Sequence, residues 1–444
     1  MSKFEKSFLG VHTVLRRLEE EKVFKDPVHH SVYVQDATIW KLINTPEFQR
    51  LRRIRQLGTT YLTFHGAEHS RFSHSLGVYE ITRKIIDQFE RNRYKDWPQE
   101  EKLVSLCASL LHDVGHGPFS HAIEHVFQTD HEKWTCDIIT GDTSIHRVLR
   151  EVGEDFPGKV ADVIRKTYGK PIVVSLVSSQ MDADRMDYLL RDAYFTGVNY
   201  GSFDLDRILR VLRPYQGAIV VKESGMHAVE AYLMARYQMY WQVYFHPVTR
   251  SSDILLRQIF RRAGELYREG YRFGFLLPPL RQLFEGSLTV EGYLSLDDAL
   301  VQAAFGQWIH EEDRLLSDLC RRFQNRRLYK YITLESLDET FLDRLRKEWV
   351  EIGLHPEYHL EMDTPVDLPY DLYKPGTEPD VKEKPPILLL DEKERVSEIS
   401  ARSEIIRSIA GLHQGKYYIY YPEEELRARA SRLKPETREL LNLQ

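Results

Sequence analysis

An apolar run, LVSLCASLL (103–111), ends in adjacent His112 and Asp113, and Gly115, His116, Gly117 and His121 follow closely. A carboxylate at the end of a buried helix is costly unless hydrogen bonds or a cation compensate it. A divalent metal meets that demand. The mixed nitrogen and oxygen donor set suits Mn, Mg, Fe, Ni or Zn, with geometry deciding among them. An isolated His-Asp pair is ordinarily a surface pair or a helix cap. Here the apolar run before it and the glycines and histidines after it favour metal chemistry.

His74 lies 38 residues upstream (112 minus 74), on a preceding helix that an antiparallel arrangement could bring beside His112. A fourth ligand is expected from MDADRMDYLLRDAYF (181–195). On an α-helix Asp182 and Asp184 point about 200° apart, so only one can line a site. Asp184 shares a face with Tyr188 and Asp192, a polar stripe suited to a pocket, whereas Asp182 shares its face with Arg185 and Leu189. Asp184 is the preferred ligand. His121 opens the segment HAIEHVF, and Glu124 follows at i+3, the spacing at which a carboxylate orients an imidazole and raises its pKa. His121 is therefore expected to be a general acid aided by Glu124. Such a group contributes ~10²–10⁴-fold. His116 and His131 are expected beside them, at the phosphate or as structural histidines. Arg71, one turn before His74, and Arg185, next to Asp184, offer planar two-pronged grips on phosphate oxygens.

These side chains need rigid carriers. One helix is predicted from near Ser73, with Val78, Ile81, Ile85 and Phe89 on one stripe, a second over Glu100–Leu111, and a third over roughly Ser178–Phe195. Most of the chain from 35 to 330 reads as helix. Strand signals are confined to Lys22–Val34, Ala218–Lys222, Ile387–Leu390 and Lys416–Tyr421, with a helix-like stretch over Val396–Ala410. The expected fold is mainly α, a helical bundle with a small α+β C-terminal lobe. The expected division is an N-terminal segment (1–48), a core (49–330) and a lobe (331–444) with a Pro-rich linker at 363–386. A net charge of −6 argues against bulk nucleic acid as a partner. Cys107, Cys136 and Cys320 make no disulfide framework, no apolar run reaches 18 residues, and MSKFEKSFLG has no long apolar leader. A cytoplasmic location and no membrane association are expected. Arg50, Arg52, Arg53 and Arg55 in EFQRLRRIRQL read, by pattern alone, as the solvated face of a helix.

The stretches KVFKDPVHH, INTPEFQRLRRIRQLG, HSRFSHSLGV, LLHDVGHGPFSH and MDADRMDYLLRD, in that order, resemble the HD-domain deoxynucleoside triphosphate triphosphohydrolases over Lys22–Tyr244. The resemblance implies an HD-type helical bundle with His74, His112, Asp113 and Asp184 as metal ligands. It implies cleavage between the 5′ oxygen and the α-phosphorus of a dNTP, releasing deoxynucleoside and triphosphate. By the same resemblance Arg71, Arg185, Arg236 and Tyr240 face the triphosphate and sugar. Tyr188 and Asp192 pack against the sugar and bond its 3′ hydroxyl, Tyr244 also faces the triphosphate and sugar, and Gln56 and Leu57 lie near the base. Relatives can carry histidine where Tyr240 stands. The resemblance further implies an activating nucleotide between subunits of a homotetramer, at Lys22, Val23, Asn44, Gln49 and Arg52. Asn44 replaces an aspartate that reads guanine, and an amide offers one acceptor where a carboxylate accepts two bonds. Two other readings remain: an HD hydrolase for a different nucleotide, such as guanosine tetraphosphate or a phosphodiester, and a nucleotide-sensing scaffold without turnover.

Overall fold

The computed structural model describes residues 16–127, 129–336, 338–364, 385–410 and 416–443. Most of the expected Pro-rich linker lies outside the described residues. Mainly helical packing encloses one large core, with two smaller cores beside it.

The chain enters through an antiparallel hairpin, β1 (Arg17–Asp26) and β2 (His30–Asp36), registered Lys22 to Val34 and Asp26 to His30. Alternation along β2 buries Val32 and Val34 against the main core. The hairpin is also tied to the helix α1 (Arg71–Arg91): the Tyr79 hydroxyl donates to the Tyr33 carbonyl at 3.0 Å, and the Tyr33 N–H donates to Glu80 at 3.2 Å. α1 buries Leu76, Val78, Ile81, Ile85 and Phe89. α2 (Lys102–Leu111) is buried almost all round, as its composition requires. α3 (His121–Phe127) and α4 (His131–Thr140) follow the glycine-rich turn.

The next helix, α5 (Ala183–Thr196), starts later than the sequence pattern suggested because Asp182 caps it, accepting from the Arg185 N–H at 2.7 Å. Gly197, at φ 77°, closes it in the left-handed region. Beyond it, β3 (Leu212–Tyr215) and β4 (Ala218–Lys222) form a second hairpin. α6 (Met226–Met239) continues into a π turn (Tyr240–Tyr244), and α7 (Pro247–Arg268) anchors the second core.

The C-terminal strands divide between two sheets. β5 (Lys330–Leu334), β6 (Glu361–Asp363) and β9 (Tyr417–Tyr421) form one, in the order β5-β9-β6. β7 (Leu388–Leu390) instead pairs in parallel with β4, and β8 (Val396–Glu398) pairs with β7. The helix-like pattern over 396–410 resolves into β8, one 3-10 turn and a helix over Glu404–Ile409. Ile387, Leu389, Ile399 and Ile406 thereby join the main core rather than the core formed by the last residues.

Candidate metal centre and the cavity around it

α1 carries His74 in its first turn, the end of α2 presents His112 and Asp113, and α5 carries Asp184 in its first turn. One donor atom each from His74, His112 and Asp184 lies within 4.8 Å of the others. His74 Nε2 is 3.0 Å from Asp184 Oδ1 and 3.6 Å from Asp113 Oδ2. His112 Nε2 is 3.3 Å from Asp113 Oδ1 and 3.6 Å from Asp184 Oδ1. Asp182 has other duties. It caps α5 and pairs with Arg185 at 2.7 Å, so its oxygens are directed away from this cluster.

The proton positions fit a cation. His112 Nδ1 faces the Ser109 carbonyl at 2.8 Å, so Nδ1 must carry the hydrogen. In the neutral ring Nε2 is then a lone pair aimed at two carboxylates, and it is a buried atom without a hydrogen-bond partner. His74 repeats the arrangement: Nδ1 lies 2.7 Å from Asp187 Oδ2, which turns the Nε2 lone pair toward Asp184. Lone pairs facing carboxylates repel unless a proton or a metal intervenes. Charge agrees. With neutral imidazoles, the four carboxylates nearest His74 and along its chain of bonds (Asp26, Asp113, Asp184, Asp187) face two guanidinium groups (Arg71, Arg191), while Glu124 beyond His116 is paired with His131. The excess of two negative charges matches one divalent ion. Without that ion, protons substitute. Burial opposes it, but the bonds to Asp184 and Asp187 push His74 up to about 10. Burial likewise opposes a rise at His112 that Asp113 and Asp184 nevertheless produce.

An HD domain model matches residues 71–192, a span holding all four expected ligands, and an HD associated region matches 203–270. The chain is 55% identical to the uncharacterized protein YwfO of Bacillus subtilis (strain 168) over 409 residues, 92% of this chain and 94% of that protein. It belongs to the HD-domain phosphohydrolase family. It is 26% identical over 70% of its length to the deoxynucleoside triphosphate triphosphohydrolase SAMHD1 of Gallus gallus, spanning 56% of that protein. The crystal structure of a phosphohydrolase from Bacteroides thetaiotaomicron superposes with a TM-score of 0.79 at 27% identity, covering 90% of this chain and 100% of the other.

In this HD-domain phosphohydrolase a cavity of about 420 Å³ opens over the cluster, lined by Gln56, Leu57, Arg71, Asp113, His116, His131, Asp184, Arg185, Tyr188, Asp192, Tyr240 and Tyr244. Arg71 donates from Nη1 to Asp113 Oδ2 at 2.5 Å and from Nε to Ser120 Oγ at 2.9 Å. Burial opposes it, but Arg71 holds Asp113 well below the usual carboxylate range. The Tyr244 hydroxyl donates to Asp192 at 2.8 Å, and the Tyr188 ring meets Tyr244 edge-on. Arg236 stands behind the wall, buried, bonded to Gln180 at 3.2 Å and 5.6 Å from the Tyr240 ring centroid. His116 and His131 stack at 3.9 Å, and His131 Nδ1 lies 2.9 Å from Glu124. Burial and the Arg71 charge keep His116 neutral. Burial works against His131 charging, but its bond to Glu124 favours the imidazolium. His121 begins α3, but its side chain lies outside the described residues.

Several contributing residues were not singled out from sequence. Asp187 sits i+3 from Asp184 on the same acidic helix, a spacing that could have found it. His69, inside HSRFSHSLGV, bonds Asp192 at 2.7 Å and stacks on Phe195. Arg50 corrects the solvated-face reading of its cluster. It is 1% exposed, and its guanidinium donates to the carbonyls of Leu296 and His116, both at 2.9 Å. Of the expected regulatory residues, Gln49 accepts from Arg52 at 2.8 Å, Arg52 lies over the Phe72 ring, and Asn44 donates to the Trp40 carbonyl. Lys22 and Val23 lie on β1, where Val23 is half exposed.

Proposed function

We propose that this HD-domain phosphohydrolase hydrolyses deoxynucleoside 5′-triphosphates to deoxynucleoside and inorganic triphosphate. The observation that carries the reading is one cavity lined by Asp113 and Asp184, two arginines (Arg71 and Arg185) and the Tyr188–Asp192–Tyr244 group, with His74 and His112 clustered on Asp184 at its edge. His74, His112, Asp113 and Asp184 would hold the ion, which when bound lowers the pKa of water and neutralises phosphate charge. Arg71, Arg185 and His131, whose bond to Glu124 favours the imidazolium, line the place where a triphosphate would accumulate negative charge, in a site that screens them little. Water supplies the oxygen added at the α-phosphorus, the bond to the 5′ oxygen breaks, and that oxygen must gain a proton. His121, supported by Glu124, is assigned the donation, with His116 and His131 beside the phosphate. Tyr188 and Tyr244 close on the sugar and leave no room for a 2′ hydroxyl, while Asp192 accepts from the 3′ hydroxyl. Gln56 and Leu57 are assigned to the base, and Arg236 and Tyr240 to the outer phosphate wall.

The outward-facing Asn44–Gln49–Arg52 group with Lys22 and Val23 supports an activating nucleotide held at these five residues between subunits of a cytoplasmic homotetramer. The test incubates purified protein with each dNTP and Mn²⁺ and resolves products by anion-exchange chromatography. Triphosphate is expected. Orthophosphate or pyrophosphate, or turnover of guanosine tetraphosphate in place of dNTPs, refutes the proposal.

A further inference from the structure

The tip of the N-terminal hairpin is wired to a metal-ligand position through a buried polar chain. Asp187, 0% exposed, is bonded to His74 Nδ1 at 2.7 Å, to His29 Nε2 at 2.6 Å, and to Arg191 Nε and Nη2 at 2.8 and 2.9 Å. Arg191, also fully buried, reaches on to Asp26 at 2.8 Å. Asp26 in turn closes the hairpin tip, accepting from the N–H groups of Val28 and His29 at 2.9 and 2.8 Å. His29 lies 158 residues from Asp187 in sequence, so the hairpin is brought here by the fold and held by this chain of bonds.

We infer that Asp26 and His29 are positioning residues of the metal centre, acting through Asp187 and Arg191 on His74. Asp187 fixes the His74 tautomer and ring plane, which point Nε2 at Asp184. A carboxylate with fewer donors is free to swing or to take a proton. Apart from His74 itself, the side chains that hold Asp187 among the described residues are His29 and Arg191, and Arg191 is itself held by Asp26. The same β1 strand carries Val23 on its outer face, opposite exposed Tyr33, with Lys22 on the other face opposite Val34, so a ligand or subunit that steadies or lifts the hairpin alters the strength with which His74 is aimed. The inference rests on the metal-site part of the proposed function and not on the identity of the nucleotide.

The test titrates metal-stripped full-length protein with Mn²⁺ alone, by calorimetry. His29→Ala and Asp26→Asn are expected to weaken Mn²⁺ binding about tenfold, and Asp187→Asn up to about 100-fold, as for other groups that orient a ligand. His29→Gln, whose amide can donate to Asp187, recovers most of the loss. In hydrogen exchange, Mn²⁺ slows the amides of residues 28–34 in the wild type but not in Asp187→Asn. Wild-type affinity in both His29→Ala and Asp26→Asn, even with lowered melting temperature, shows that the hairpin merely packs and overturns the inference. These two variants leave the His74–Asp187 bond in place, so the experiment decides even if Asp187→Asn does not fold. A wild-type protein that binds no Mn²⁺ fails the metal reading itself, which is a different result.

Discussion

Gly77 makes the Asp187 network possible, and a single methyl group tests it. It lies in α1 opposite α5, where an added Cβ would fall 1.8 Å from Asp187 Oδ1 and 2.5 Å from Arg191 Nη2. Two effects oppose each other in Gly77→Ala. Helix propensity favours alanine in a helix interior by about 1 kcal/mol. Against that, non-bonded heavy atoms need about 3.5 Å, so the carboxylate must retreat by roughly 1.5 Å or more. Overpacking of this kind costs about 1–3 kcal/mol, and each charge-assisted bond broken costs about 1.5–3 kcal/mol. If one of the hydrogen bonds to Asp187 breaks, the net destabilisation is roughly 1.5–5 kcal/mol, measured by urea unfolding of the metal-free protein. Mn²⁺ affinity should fall in parallel because His74 loses its guide. The double variant Gly77→Ala with Asp187→Ala should be less destabilised than the sum of the singles, since the clash is removed with the carboxylate. A Gly77→Ala protein as stable as wild type, or more stable as propensity alone requires, with unchanged Mn²⁺ affinity, refutes the reasoning.

Asp182→Ala should retain Mn²⁺ binding and lose about 1–2 kcal/mol of stability as a missing helix cap, whereas Asp184→Ala should fold and lose the metal; calorimetry and thermal unfolding on both variants separate the roles. Arg50→Met leaves the buried carbonyls of Leu296 and His116 without donors and should cost about 2–4 kcal/mol in unfolding experiments. Tyr244→Phe removes the 2.8 Å bond that fixes Asp192 and should lower kcat/KM for dNTPs about tenfold, read from initial rates.

What could be read from sequence was what local periodicity encodes. An apolar helix ending in His112–Asp113, and the 200° separation of Asp182 from Asp184, are properties of one helix each, and the structure gathers His74, His112 and Asp184 at the place those patterns indicate. The strands at 218–222 and 417–421 are likewise local signals. What escaped was set by distant partners. The contact of His29 with Asp187 joins residues 158 apart, and β7, legible as a strand, takes its place beside β4 through ladder pairing and the burial of Ile387 and Leu389 in the main core. Arg50 looks like its neighbours Arg52 and Arg53 in a charge pattern. Only the carbonyls that meet it, 66 and 246 residues away, make it a buried strut. Glu124 shows the same limit: its i+3 relation to His121 is local, while its bond to His131 depends on the turn between two helices.

The excess negative charge of this network also fixes how the protein should respond to pH. In metal-free protein His74 is pushed up to about 10 from an ordinary 6.5, because its bonds to Asp184 and Asp187 outweigh the burial that opposes protonation. A histidine raised in the folded state contributes stability that is complete below 6.5 and is lost as pH climbs through 10. Metal-free protein should therefore become steadily easier to unfold across that window. A divalent ion takes the place of the proton on Nε2, so the loaded protein should lose much less over the same range. Binding must then release protons, and Mn²⁺ affinity must climb with pH. Calorimetry in two buffers of different ionisation enthalpy counts the protons, and melting curves from pH 6.5 to 10 with and without Mn²⁺ follow the stability. An affinity flat in pH, with no protons released, would mean that the ion does not bind at the imidazole nitrogens, and the charge balance drawn from Asp26, Asp113, Asp184 and Asp187 would fall with it.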